Sequence, residues 1–171
     1  MQKKNVVWLC GMLLGVVLTA CSISYKFNGA SIDYDKVKTI TIKDFPNQAP
    51  LVYAPLSQEF TEDLKDIYIR QTRLQLVNNN GDLELEGEIT GYELTPMAVK
   101  EDAWSSQTKL TITVRVRYSN RVNPDDDFEQ TFSAYQEFDA SRMLQDVEPE
   151  LCPIILEEIV DQIYNATVAN W

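Results

Sequence analysis

The sequence predicts an α/β two-layer sandwich: a four-stranded, mostly antiparallel sheet with two helices on one face, in the order β-α-β-β-β-α. Three observations carry that reading. Lys109 to Tyr118 alternates strictly, with Leu110, Ile112, Val114, Val116 and Tyr118 on one side and Lys109, Thr111, Thr113, Arg115 and Arg117 on the other. Leu56, Phe60, Leu64, Ile67, Tyr68 and Leu74 recur at helical spacing. Leu151, Ile155, Ile159 and Ile163, with Leu156 and Val160, form a second helical stripe. Each buried aliphatic side chain contributes about 1.5–3 kcal/mol, against about 0.2–1 for an exposed cross-strand pair. The dry face of Lys109 to Tyr118 therefore sets the register, and its polar face is free to serve another purpose.

The chain begins with a targeting pattern. Lys3 and Lys4 precede an apolar run from Val6 to Leu18, too short for a comfortable membrane span, and the run ends in Leu18-Thr19-Ala20-Cys21. That tetrapeptide is a bacterial lipobox. The expectation is a lipoprotein signal peptide over residues 1–20, cleaved before Cys21, whose new terminus carries acyl and diacylglycerol lipid. Residues 21–35 are expected to be a lipidated tether and residues 36–171 a single α/β domain. Ser22 follows the cysteine and nothing acidic appears until Asp33. The inner-membrane retention aspartate is thus absent, which points to the periplasmic face of the outer membrane.

Along the domain, Val37 to Lys43 reads as the first strand, with Ile40 and Ile42 on one face and Val37 out of phase. Pro55 opens the first helix, Glu59, Glu62 and Asp63 suit its start, and Arg70 and Arg73 suit its end. It is expected to run to Val77, before Asn78-Asn79-Asn80-Gly81. Asp82 to Leu94 alternates: Leu83, Leu85, Gly87, Ile89 and Gly91 share one face, and Glu84, Glu86, Glu88, Thr90 and Tyr92 the other. Thr95 to Gln107 reads as a loop holding Trp104, and Asn120 to Asp127 as a turn. In the last strand Phe128, Phe132, Ala134 and Phe138 alternate with Glu129, Thr131, Ser133, Tyr135 and Glu137. Asp146-Val147-Glu148-Pro149 starts the second helix, which runs to about Val168.

The full chain has a net charge of −11, and losing Lys3 and Lys4 makes it more acidic still. No basic field remains for nucleic acid. The absence of histidine removes His triads, His general bases and His metal ligands. With Cys10 in the signal and Cys21 lipidated, Cys152 is the one remaining thiol, so no disulfide framework forms. Beside Pro153 in an apolar stripe, Cys152 reads as a buried structural residue rather than a nucleophile. There is no glycine-rich phosphate loop, and the many carboxylates lie on a flat strand face. The reading is of a non-enzyme with no catalytic residue, metal or cofactor other than the lipid.

The open face of the sheet is where function is expected. Antiparallel pairing should bring Glu86 or Glu88 opposite Arg115, giving either a solvated face stapled by cross-strand pairs or a surface that meets a charged ligand or a polar partner cavity. Lys109, Arg115, Arg117 and Lys100 are the candidate ligand contacts. Trp104, Tyr92 and Tyr135 are the candidate partner contacts.

The stretches Ser57 to Leu74, Gly81 to Tyr92, the central strand and Asp127 to Phe132 together resemble the LptE family, the lipopolysaccharide-assembly lipoproteins of diderm bacteria. The resemblance covers most of the domain. It implies a periplasmic lipoprotein that plugs the lumen of the LptD-type outer-membrane translocon barrel, helps that barrel assemble and binds lipopolysaccharide. It also implies two helices on a four-stranded sheet. The family's ligand contact is attributed to basic residues, whereas this chain is strongly acidic. The alternative is a stand-alone periplasmic lipid- or glycan-binding lipoprotein.

Overall fold

The structure is a computed structural model and describes residues 32–51, 53–97 and 106–168. Its order is β1 (Thr39–Ile42), α1 (Leu56–Gln71), β2 (Gln75–Leu76), β3 (Leu83–Pro96), β4 (Gln107–Asn120), a 3-10 turn (Pro124–Asp126), β5 (Phe128–Asp139) and α2 (Leu144–Thr167). The sheet order is β2-β1-β3-β4-β5. β1 is parallel to both β2 and β3, and β3, β4 and β5 form an antiparallel meander. The two-helix α/β arrangement is the expected one, with five strands in place of four.

The extra strand follows from an early helix stop. α1 ends at Gln71 rather than near Val77 because Thr72 is extended at φ −125°, ψ 172°. Its hydroxyl donates to the Tyr68 carbonyl at 2.6 Å and accepts the Leu74 N–H at 3.1 Å. That local competition for backbone partners turns the chain out of the helix. Leu74 stays buried, and Gln75 and Leu76 pair with β1. At the other edge of β1, the Asp82 carboxylate accepts the Lys38 N–H at 2.9 Å, the Thr39 N–H at 3.0 Å and the Thr39 hydroxyl at 2.9 Å. Those bonds hold its carboxyl below the ordinary range, the Lys38 N–H contributing most.

The helix stripes and one face of the sheet form a single core. Leu56, Phe60 and Leu64 of α1 and Ile155, Ile159 and Ile163 of α2 are fully buried together with Leu83, Leu85, Ile112 and Val114. Leu110, Val116 and Tyr118 are buried as the alternation requires. Phe45 leaves β1 and packs edge-on against Phe60, with ring centroids 5.1 Å apart. Gly87 makes room for it: a Cβ there would lie 2.7 Å from Phe45 Cε1 and 2.1 Å from the Arg115 carbonyl oxygen. α2 begins at Leu144, two residues before the expected start, and contains Pro149 and Pro153, whose missing N–H groups leave Gln145 and Pro149 carbonyls without helical donors. The expected loop from Thr95 to Gln107 is shorter, because β3 continues through Pro96 and β4 starts at Gln107.

Candidate functional site: the open face of the sheet

The register places the charged residues. Glu88 lies opposite Arg115, Glu86 opposite Arg117, and Arg117 opposite Glu129. The Arg115 guanidinium donates to the Glu88 carboxylate. Arg117 reaches Glu86 at 3.1 Å on one side and Glu129 at 3.3 Å on the other. Lys43, just past β1, meets Glu84 at 2.7 Å and Glu86 at 3.8 Å, and Arg121 closes the row on Glu84 at 2.9 Å. Four strands thus share one lattice of alternating charge.

The lattice biases protonation in the direction that keeps it charged. The hydrogen bond to Glu84 raises Lys43, and the same bond lowers Glu84. The bond to Glu88 raises Arg115. The arginine side chains remain about half exposed, at 51% and 58%, so solvent screens these pairs and each contributes little to stability.

Lys43, Asp44, Glu86, Gly87, Glu88, Arg115, Arg117 and Glu129 line a shallow concavity of about 450 Å³. Three cations face four carboxylates there. An incoming phosphate would have to displace a carboxylate from each arginine before it could use the guanidinium fork. The arrangement suits a polar surface that reads alternating charge.

The sequence-predicted residues divide. Arg115 and Arg117 sit in the concavity, whereas Lys109 stands at the far end of β4 with its ammonium 4.9 Å from the centre of the Tyr135 ring. Tyr135 is 52% exposed on the open face, as alternation implies. Tyr92 is not on that face. A bulge shifts the register between Ile89 and Gly91, so Tyr92 pairs with Ile112 on the helix side and is 2% exposed. Its hydroxyl donates to Glu148 Oε1 of α2 at 2.7 Å and lies 3.7 Å from Cys152 Sγ. Burial, with help from both neighbours, raises the Tyr92 phenol. Cys152 is buried and its thiol is pushed up to about 11, chiefly by burial, as an inert core residue would be. Cys21, Lys100 and Trp104 lie outside the described residues. Lys43 and Arg121 are the lattice cations that sequence reasoning missed. The parity of Lys43, opposite to Ile40 and Ile42, gives its face, but its neighbours Glu84 and Glu86 follow only from the parallel pairing of β1 with β3.

Among the described residues, no group of acidic and cysteine side chains is arranged to hold a metal ion. No helix among them is long and apolar enough to cross a membrane.

The sequence profile of the lipopolysaccharide-assembly family LptE matches residues 37–167, from the residues before β1 to the end of α2. The chain belongs to the LptE family. The match spans the sheet, both helices and every residue of the charged lattice. LptE chains are described as lipopolysaccharide-assembly proteins, and the open face is therefore a surface of an assembly factor. Among solved structures, a minor lipoprotein from Acinetobacter baumannii is similar in fold, with a TM-score of 0.51 at 19% identity over 78% of this chain and 94% of that one. A hypothetical protein from Chlamydia trachomatis aligns at a TM-score of 0.48 and 12% identity over 78% of this chain and 99% of its own. Lipoprotein B from Nitrosomonas europaea aligns at 0.45 and 18% identity, covering 74% of this chain and 79% of its own. A comparison with curated protein sequences gave no match.

Proposed function

We propose that this LptE-family chain is a non-enzymatic outer-membrane lipoprotein, anchored by lipid on Cys21 at the periplasmic face, that plugs and helps assemble an LptD-type lipopolysaccharide translocon barrel and takes lipopolysaccharide as its ligand. The family match over residues 37–167 is the observation that carries this reading. The sheet geometry supports it. One face is covered by helices, and the other is a long polar ribbon whose charges alternate in sign, a surface that suits the polar, wet interior of a large barrel. The lipobox ending at Cys21 supplies the address and the anchor. The aromatic and basic residues Trp104, Tyr135, Lys100, Lys109, Arg115 and Arg117 are the proposed contacts to barrel and ligand, and Tyr92 now belongs to the core.

Detergent extraction of membranes bearing the tagged full-length chain tests the reading. The expected result is a large β-barrel protein recovered at fixed stoichiometry. A chain recovered alone would refute the plug role and favour a stand-alone lipid or glycan carrier.

A further inference from the structure

β5 is an outermost strand of the sheet among the described residues, and it is 12 residues long. The Ala140 N–H donates to the Ser106 carbonyl at 3.0 Å, and the register then runs unbroken from Gln107↔Asp139 to Tyr118↔Phe128. Bonding in an antiparallel ladder alternates along each strand. Even-numbered residues of β5 therefore exchange bonds with β4, and the N–H and C=O groups of Thr131, Ser133, Tyr135 and Glu137 point away from the sheet. Gln162 of α2 marks the same direction, because its side-chain amide donates to the Ser133 carbonyl at 3.4 Å. Native edges are usually blunted by proline, lysine or a bulge. From Glu129 to Phe138 the strand has no proline, no lysine and no break in register. The opposite edge of the sheet is the two-residue β2.

The rims of this edge define what fits it. On the open face Glu129 and Glu137 flank Tyr135, all three exposed. On the helix side Ile154, Glu158 and Gln162 recur every four residues, so the Gln162–Ser133 contact brings that stripe beside β5. Ile154 is 46% exposed there. An added strand would thus meet carboxylates on both rims and an apolar side chain on one. In the two-fold pairing centred on Ser133, a second copy would set Glu129 of each chain against Glu137 of the other, and directly opposed like charges destabilise a ladder, whereas a basic segment meets opposite charge at both positions.

We propose that the outer edge of β5 is a strand-docking site for an extended, lysine- or arginine-bearing segment of the barrel partner's chain. Main-chain bonds to Thr131–Glu137 would supply affinity, and the acidic rims would select the segment. The inference rests on the barrel-plug reading and sharpens it, naming a main-chain contact where that reading names only a surface.

The test uses the full-length chain co-extracted with its barrel. Hydrogen exchange is read residue by residue in the complex and in the released chain. The amides of Thr131, Ser133, Tyr135 and Glu137 are expected to exchange at least about tenfold more slowly in the complex. Thr131→Pro deletes an outward N–H group without touching the β4–β5 ladder and should weaken barrel retention by about tenfold or more. Thr131→Val keeps its outward N–H and should retain the barrel as the natural chain does. Unchanged outward amides in a stoichiometric complex would overturn the docking site while leaving the plug role intact. So would equal losses from Thr131→Val and Thr131→Pro, which would assign the contact to the side chain. Slowed outward amides in the released chain at high concentration would make the occupant a second copy and overturn the proposal. A chain extracted alone overturns both readings. The exchange comparison needs no variant, so it decides even if a proline variant misfolds.

Discussion

The two faces of one sheet behave as different materials. On the helix side Leu83, Leu85, Ile112 and Val114 are fully buried, and the meander register leaves no tolerance for a slip. On the open side the same strands carry Glu86, Glu88, Arg115 and Arg117, paired but half in water. The first face holds nearly all of the stability that the second is spared from providing. An assembly factor needs that division. Its contact surface can be matched to a partner only where substitution costs little in folding.

If the faces differ this way, the largest effect should come from a residue that touches both. Gly87 has its backbone in the ladder between the charged residues, and the Cβ it lacks would point into the core. Gly87→Ala would press a methyl to 2.1 Å from the Arg115 carbonyl and 2.7 Å from Phe45. Overpacking typically costs about 1–3 kcal/mol, and an obstacle of backbone puts this change at the top of that range or above it. Urea denaturation measures it. A loss smaller than that of a surface substitution would mean that the ribbon yields locally and that the two faces are less tightly coupled than the packing implies.

Much of this division is legible in the sequence because strand alternation has a period of two and the aliphatic residues keep it. Leu110 to Tyr118 and Phe132 to Phe138 fall on the expected side, and of the two partners the sequence left open for Arg115, Glu86 and Glu88, the register selects Glu88. What escapes are single-residue events. The bulge beside Thr90 inserts one residue, moves Tyr92 across the sheet and leaves no mark in composition. The early end of α1 turns on one threonine hydroxyl, which apolar spacing does not report. Lys43 joins the charged lattice through a parallel pairing that only the three-dimensional order of strands reveals. The charged site was thus readable along the meander and unreadable across the crossover.

Tyrosines on the two faces give an intermediate test. Tyr92→Phe removes a buried donor from the half-buried Glu148 carboxylate and should destabilise by about 1–2 kcal/mol. Tyr135→Phe removes an exposed hydroxyl and should stay within about 0.5 kcal/mol of the natural chain. Both are measured by thermal and urea unfolding. Equal effects would place the two rings in equivalent surroundings and remove the bulge as the cause of their difference.

The smallest expected stability change is on the charged lattice itself. Replacing both Arg115 and Arg117 with Gln removes three exposed pairs, to Glu88, Glu86 and Glu129. Such pairs contribute little each, so the double variant should lower the melting temperature by a few degrees at most. The informative readout is capture of lipopolysaccharide. In the natural chain each guanidinium is already held by a carboxylate, so phosphate must compete for it. The double arginine variant should therefore capture less lipopolysaccharide. Glu86→Gln with Glu88→Gln should capture as much or more, because it frees the same arginines and removes two negative charges from the concavity. Raised salt should shrink both differences, since the groups are exposed and screened. If the two double variants instead lose capture equally and in step with stability, the lattice is a structural staple. The ligand must then be sought beyond the meander, around Lys100 and Trp104.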